Sequence, residues 1–424
     1  MDDTGASLQA AMTAMGREAR DGARALRLAT AETRSKAIRG ISEAIRADAE
    51  TILAANARDV EAARANGLAD AMVDRLALDE KRLAGVADAV AAIAEIPDPL
   101  GVETARWTPP SNGLDIARVR TPIGVIAMIY ESRPNVTADA ASLCVRSGNA
   151  VILRGGSECL NSNLAIHAAV TRGLESAGLP ASCVQIVRTT DRAAVGMILS
   201  GLDRHIDLIV PRGGKSLVAR VQAEARAPVL GHLEGLCHAY IDAGADPAKA
   251  VAIAVNAKMR RVSICGAMET LLVDRAVAKD LLPPIAEALT DAGCELRGDA
   301  EARKITPMNA ANEADWTTEY LAPILSVAIV DGVEGAAEHI ATHGSGHTDA
   351  IVTEDAAAAE RFIELVDSAV VLVNASTQYA DGGEFGFGAE IGIATDKLHA
   401  RGPVGAEQLT TYKYVVRGTG QTRP

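Results

Sequence analysis

Residues 259–274 read MRRVSICGAMETLLVD: two arginines and a serine precede Cys265, a glycine follows it, and an apolar run begins just beyond. Sulfur attacks a carbonyl carbon as the thiolate, and nearby guanidinium charge favours that form. The other cysteines, at 144, 159, 183, 237 and 294, have different surroundings. Cys144 lies in the apolar AASLCV, Cys183 borders CVQIV and Cys237 leads into HAYI, where a free cysteine packs as a small hydrophobe. No two cysteines have C-x-x-C or zinc-finger spacing, so any that matters acts singly. Cys265 is the candidate nucleophile.

Two strand ends share one form: Arg154-Gly155-Gly156 after NAVIL, and Arg212-Gly213-Gly214 after DLIVP, each leading into a helix. Glycines admit a phosphate close to the backbone, the helix N-terminus favours an anion, and the arginine adds charge. Either loop alone reads as a tight turn; two on successive units favour a nucleotide with separated phosphates. Neither matches G-x-G-x-x-G, so the usual dinucleotide fingerprint is absent. His339, His343 and His347 are spaced by four, which on one helix would align three metal ligands. Gly344 and Gly346 should end that helix before the third histidine, and no carboxylate stands in register. No metal is expected.

The elements that must place these residues alternate. The first hundred residues are Ala-rich and helical in pattern, with Gly67 as a stop and Asp79 opening a further helix. From NAVILRGG onward short β-branched runs and helical segments alternate, the order of a mostly parallel sheet with helices on both faces. HAYID reads as the next strand of that series, followed by a helix capped by Asp246 and opened by Pro247. A second α/β series starts after Cys265, which therefore lies at a junction. The late strand TTYKYVV pairs either along an edge of its own domain or with another subunit.

A chain of 424 residues has a prior of two or three domains. A net charge of −13 excludes a broadly basic nucleic-acid footprint and attraction to anionic membranes. No apolar run approaches the ~20 residues of a membrane span, and MDDTGASLQAAMTAMGREAR does not read as a signal peptide. A cytoplasmic location is expected.

Several long strings carry a family resemblance: TPIGVIAMIYESRPNVTADAASLCVRSGNAVILRGG, DLIVPRGGKSL, CGAMETLLV, HGSGHTDAI, DSAVVLVNASTQYADGGEFGFGAEIGIAT and KLHARGPVGAEQLTTYKY. From about residue 10 onward the chain resembles the gamma-glutamyl phosphate reductases (phosphorylating glutamate-5-semialdehyde dehydrogenases) of the aldehyde dehydrogenase superfamily. That resemblance implies an α/β fold of two Rossmann-like parallel domains plus a small β oligomerisation arm. The expected division is a cofactor-binding domain over 1–255, with 129–145 contributing to the arm, a catalytic domain over 256–372, and a return segment and arm over 373–424.

It also implies NADPH-dependent reduction of L-glutamyl 5-phosphate to L-glutamate 5-semialdehyde and phosphate through a cysteine thioester, the second step of proline synthesis from glutamate. Cys265 matches the nucleophile and Asn135 the oxyanion-holding asparagine. Arg154, with Gly155 and Gly156, matches the region of the adenosine ribose, and Arg212, Gly213 and Gly214 match the loop facing the pyrophosphate. Glu319 resembles the glutamate at the nicotinamide ribose. Arg260, Arg261 and Asn374 are candidate substrate contacts. Functional coupling to glutamate 5-kinase and a homo-oligomer, dimer or tetramer, are implied as partners. In one departure, GHLEGLCH places His232 where aldehyde-oxidising relatives carry the glutamate that activates water, with Glu234 displaced by two; this agrees with reduction and argues against oxidation of another aldehyde. Intact Cys265 and Asn135 argue against a noncatalytic nucleotide-binding protein.

Overall fold

Alanine-rich segments with apolar residues every three or four positions make the first part of the chain helical: α1 (Asp3–Leu28), α2 (Ala31–Ala47), α3 (Ala49–Ala65), α4 (Asp70–Leu76) and α5 (Glu80–Glu95). In this computed structural model, which describes residues 3–423, the run ending near Gly67 is two helices broken at Asp48. Met1, Asp2 and Pro424, which belong to the N-terminal stretch and the C-terminal segment discussed above, lie outside the described residues. Thr30 and Asp79 accept backbone N–H groups and start α2 and α5. Ile38, Ile41 and Ile45 form the buried stripe of α2.

The strands β1 (Glu103–Trp107), β2 (Asp115–Pro122), β3 (Val125–Tyr130), β4 (Ala150–Gly155), β5 (Val184–Ile186) and β6 (Leu208–Arg212) follow, with α6 (Asn135–Arg146), α7 (Leu160–Ser176), α8 (Arg192–Leu199) and α9 (Lys215–Glu224) between them. Strands β3 to β6 form a parallel sheet in the order β5-β4-β3-β6. β3 is buried at all six positions because it has neighbours on both sides. Segment 129–145 is the end of β3 and most of α6, whose Val136, Ala140, Leu143 and Val145 are buried. Those side chains are core of this unit.

The next elements are β7 (Cys237–Ile241), α10 (Pro247–Met259), β8 (Met268–Asp274), α11 (Ala278–Asp291), β9 (Glu295–Gly298), α12 (Ala302–Ile305), β10 (Asn309–Ala310), β11 (Ile324–Val330), α13 (Gly332–His343), β12 (Thr348–Val352), α14 (Ala356–Leu365), β13 (Val370–Val373), β14 (Ile393–Ala394) and β15 (Gly402–Pro403). A second parallel sheet runs β10-β9-β11-β8-β7-β12-β13. Its central strands β7 and β8 are buried along their whole length. The chain then makes β16 (Thr410–Arg417), which pairs antiparallel with β2 from Thr410↔Pro122 to Arg417↔Asp115. The small sheet β1-β2-β16 thus takes TTYKYVV as an edge strand of the chain's own unit.

By internal contacts the chain forms two units: residues up to 231 with 386–392 and those from 404, and residues 232–385 with 393–403. The division falls after Gly231, not after residue 255. β7 and α10 belong with Cys265, because HAYI pairs on one side with β8 and on the other with β12. Among the described residues no helix is long and apolar enough to cross a membrane.

Candidate active site

Cys265 is placed by the end of α10 and the start of β8. Asp246 accepts from the Lys249 N–H at 2.9 Å and Pro247 opens the helix. At the other end the Gln378 amide donates to the Asn256 and Ala257 carbonyls, at 3.1 and 2.8 Å, and so caps the helix. Residues 261–267 then turn into β8, the Ala267 N–H donating to the Ile264 carbonyl at 3.0 Å. The Cys237 thiol donates to the Cys265 carbonyl at 3.1 Å. A Cβ on Gly235 would stand 2.1 Å from that carbonyl oxygen, so the approach of these two backbones requires glycine. Cys265 is half-buried beside Val370, Ala380 and Ile393, whereas the other five cysteines are buried.

Two imidazoles flank the sulfur. The ligand atoms of His232, Cys265 and His347 all lie within 4.8 Å of one another. The two rings meet edge to face, with centroids 4.8 Å apart. His232 Nδ1 is 2.7 Å from the Ile393 carbonyl oxygen, which can only accept, so Nδ1 carries the hydrogen and Nε2 of the neutral ring has the lone pair. His347 is fully buried; its Nδ1 is 2.8 Å from Thr348 Oγ1, and its Nε2 has no hydrogen-bond partner of ordinary geometry.

Burial by itself raises the Cys265 pKa, but the neighbouring His347 and His232 rings hold it well below the usual thiol range. Burial pushes Cys159 and Cys183 up to about 12 and Cys294 up to about 11, and raises Cys144 and Cys237 as well. The arginines that singled out Cys265 in the sequence are not what lowers its pKa. Arg260 and Arg261 are exposed, and Arg260 donates to Gln378 Oε1 at 3.3 Å. His232 was visible in the sequence only as the residue in place of the water-activating glutamate. His347 had been set aside with the helical trio, and α13 does end at His343, with Gly344 as its cap. The buried His347 serves the sulfur instead.

Glu319 shares this surrounding. The Gly235 N–H donates to its Oε1 at 3.0 Å, and burial first, with Cys265 nearby, raises its pKa despite that bond. Its loop is held by a buried ion pair that sequence reading missed: Lys258 Nζ lies 2.5 Å from Glu269 Oε2, and Glu269 Oε1 accepts from the Leu321 N–H at 3.3 Å. The available signal was a glutamate inside the apolar run AMETLLV.

Asn374 Oδ1 accepts from the Thr353 N–H at 2.9 Å and its Nδ2 donates to the Thr353 carbonyl at 2.8 Å, so the amide continues the strand pairing beyond β13. In the first unit Asn135 opens α6 and donates to Asp139 Oδ2 at 2.9 Å. Burial raises the Asp139 carboxyl to about 6, opposed by the Asn135 bond and by Arg212. Arg154 donates to the Gly155 carbonyl at 2.6 Å, Gly155 lies against Asn163, and Gly156 lies against Glu158. Gly213 and Gly214 are exposed at the N-terminus of α9, where the Gly214 N–H donates to Glu131 Oε2 at 2.9 Å. That helix start therefore receives an anionic oxygen.

The chain matches the aldehyde dehydrogenase family over residues 3–322. It is 76% identical to a gamma-glutamyl phosphate reductase of Caulobacter vibrioides, covering 97% of this chain and 100% of that one. The crystal structure of a gamma-glutamyl phosphate reductase from Thermotoga maritima superposes with a TM-score of 0.94 at 44% identity, over 97% of this chain and 100% of the other. An engineered glycolyl-CoA reductase with bound NADP+ shares the fold at a TM-score of 0.67 and 17% identity, over 96% of each chain. By sequence and by fold, the chain belongs to the gamma-glutamyl phosphate reductases, oxidoreductases of the aldehyde dehydrogenase family.

Proposed function

We propose that the protein reduces L-glutamyl 5-phosphate to L-glutamate 5-semialdehyde and phosphate, on the route from glutamate to proline, with Cys265 as nucleophile and NADPH as reductant. The observation that carries this reading is the half-buried Cys265 sulfur with His232 and His347 beside it. The thiol proton passes to an imidazole and the thiolate attacks the acyl carbon. The tetrahedral oxyanion is received by the Cys265 backbone N–H and, on the family resemblance, by the Asn135 amide; losing one such donor costs about 10²–10³ in rate. The carbon–oxygen bond to phosphate breaks, and the imidazolium returns its proton to the leaving phosphate.

The resulting thioester must be kept from water. The position at which aldehyde-oxidising relatives carry the water-activating glutamate holds His232 instead. A reduced nicotinamide held by the residues named below would supply hydride to the acyl carbon. The hemithioacetal oxyanion then collapses, breaking the carbon–sulfur bond, freeing the aldehyde and regenerating the thiolate.

The anion-receiving start of α9 at Gly213 and Gly214, with Arg212, fits a cofactor pyrophosphate; Arg154 with Gly155 and Gly156, and Glu319, fit the two riboses. Arg260 and Arg261 fit the substrate's phosphate or carboxylate. The acyl phosphate must come from a separate kinase acting on glutamate, with which this enzyme is coupled in the cytoplasm, and the sheet β1-β2-β16 is the surface through which subunits join.

The test is reduced-nicotinamide absorbance with semialdehyde, phosphate and oxidised cofactor. Formation that requires phosphate and runs faster with NADP+ than with NAD+ supports the reading. Turnover without phosphate, or undiminished turnover by Cys265→Ser, rejects it.

A further inference from the structure

We propose that His232, Cys265 and His347 together bind a soft divalent cation, zinc being the ion they fit best, and that the bound ion masks the nucleophile. The three ligand atoms lie within 4.8 Å of one another on one unit of the chain. Zinc takes sulfur at about 2.3 Å and imidazole nitrogen at about 2.0–2.1 Å, which puts neighbouring ligands of a tetrahedral site roughly 3.4–3.6 Å apart. Side-chain adjustments of about 1 Å therefore close the set on a metal.

Both rings are already turned for ligation. His232 Nδ1–H is held by the Ile393 carbonyl, which leaves Nε2 as the electron-pair donor. His347 is fully buried, with Nδ1 2.8 Å from Thr348 Oγ1. Two nitrogens and one sulfur leave a fourth position open, so the ion would take water or an exchangeable ligand there. Binding stands on this geometry alone. The loss of turnover that accompanies it rests on Cys265 being the nucleophile, as proposed above.

The experiment uses full-length enzyme stripped with chelator and titrated with Co2+ as a spectroscopic probe, then with Zn2+. The expected result is one Co2+ per chain with a sulfur-to-cobalt charge-transfer band and the intense visible bands of four-coordinate cobalt. Zn2+ displaces it, activity falls in step with occupancy, and chelator restores activity. Affinity drops by more than about 100-fold in Cys265→Ser and in His347→Gln. A wild-type spectrum without the sulfur band overturns the site, as does binding unchanged by Cys265→Ser, which would place the ion elsewhere, for example at His339 and His343. The two readings fail separately. No cobalt binding together with inactivation by alkylation of Cys265 removes the metal site alone; thiolate-bound metal with turnover undiminished removes the nucleophile assignment and leaves the site.

Discussion

Lys258 Nζ stands 2.5 Å from Glu269 Oε2 where neither side chain is more than 2% exposed, and the same carboxylate accepts from the backbone of the loop that carries Glu319. One buried charge pair thus joins the end of α10, the start of β8 and the loop of Glu319. Burial first, against the pull of Lys258, raises the Glu269 carboxyl to about 7. Lys258→Met leaves that carboxylate without its counter-charge and should cost about 3–5 kcal/mol. The double change Lys258→Met with Glu269→Leu should recover most of this, since no uncompensated charge remains. Urea unfolding of the three proteins tests it: a double variant as unstable as the single one would contradict the assignment.

The site predicts selective alkylation. Cys265 is half-buried with its pKa lowered, and the other five thiols are buried with theirs raised. Iodoacetamide on the folded protein should label Cys265 alone, and mass spectrometry of the digest reads this directly. His232→Asn or His347→Asn should slow labelling by about 10-fold or more, each removing one stabiliser of the thiolate. Labelling spread evenly over several cysteines would mean that the imidazoles do not set the sulfur's reactivity.

Gly235→Ala tests the backbone approach. The new Cβ would meet the Cys265 carbonyl oxygen at 2.1 Å, and that oxygen is fixed by the Cys237 thiol. Overpacking of this kind costs about 1–3 kcal/mol, and a displacement of about 1 Å at the nucleophile costs about 100-fold in turnover. A variant that keeps wild-type kcat would show that this contact does not position the sulfur.

A pH effect on stability follows from His339. Its ring packs against His238, His343 and Trp316, His238 being paired with Asp349 at 2.7 Å. Burial first, then the neighbouring His238 and His343, pushes its pKa down to about 3. The unfolded chain takes a proton there below about pH 6.5 while the folded chain does so only near 3, so the stability is whole above 6.5 and is lost as pH falls through this window. At pH 5 the loss is on the order of 1 kcal/mol after allowance for partial exposure. Thermal melts at pH 7 and pH 5 should show a smaller drop for His339→Gln than for the unaltered protein; equal drops would contradict it.

Most of the individual elements were legible because their signals are local. HAYID, ETLLV, ILSVAIV and DAIVTED are short apolar runs bounded by polar turns, and each is a strand. Asp79 and Asp246 cap helices as their spacing foretold. Which sheet a run joins is not local. HAYI carries no mark that it sits between β8 and β12.

For the site, the sequence by itself made Cys265 the favoured thiol: it lies in a polar, non-periodic turn after two arginines, and that setting follows from residues within a few positions. The tertiary structure decided what activates it. His232 and His347 are 33 and 82 residues from Cys265, and only the pairing of β7 with β8 and β12 brings their loops to one place. Arginines adjacent in sequence were the natural guess, yet both are exposed, where charge is screened. The histidines act from within the fold, where electrostatic interactions are screened least.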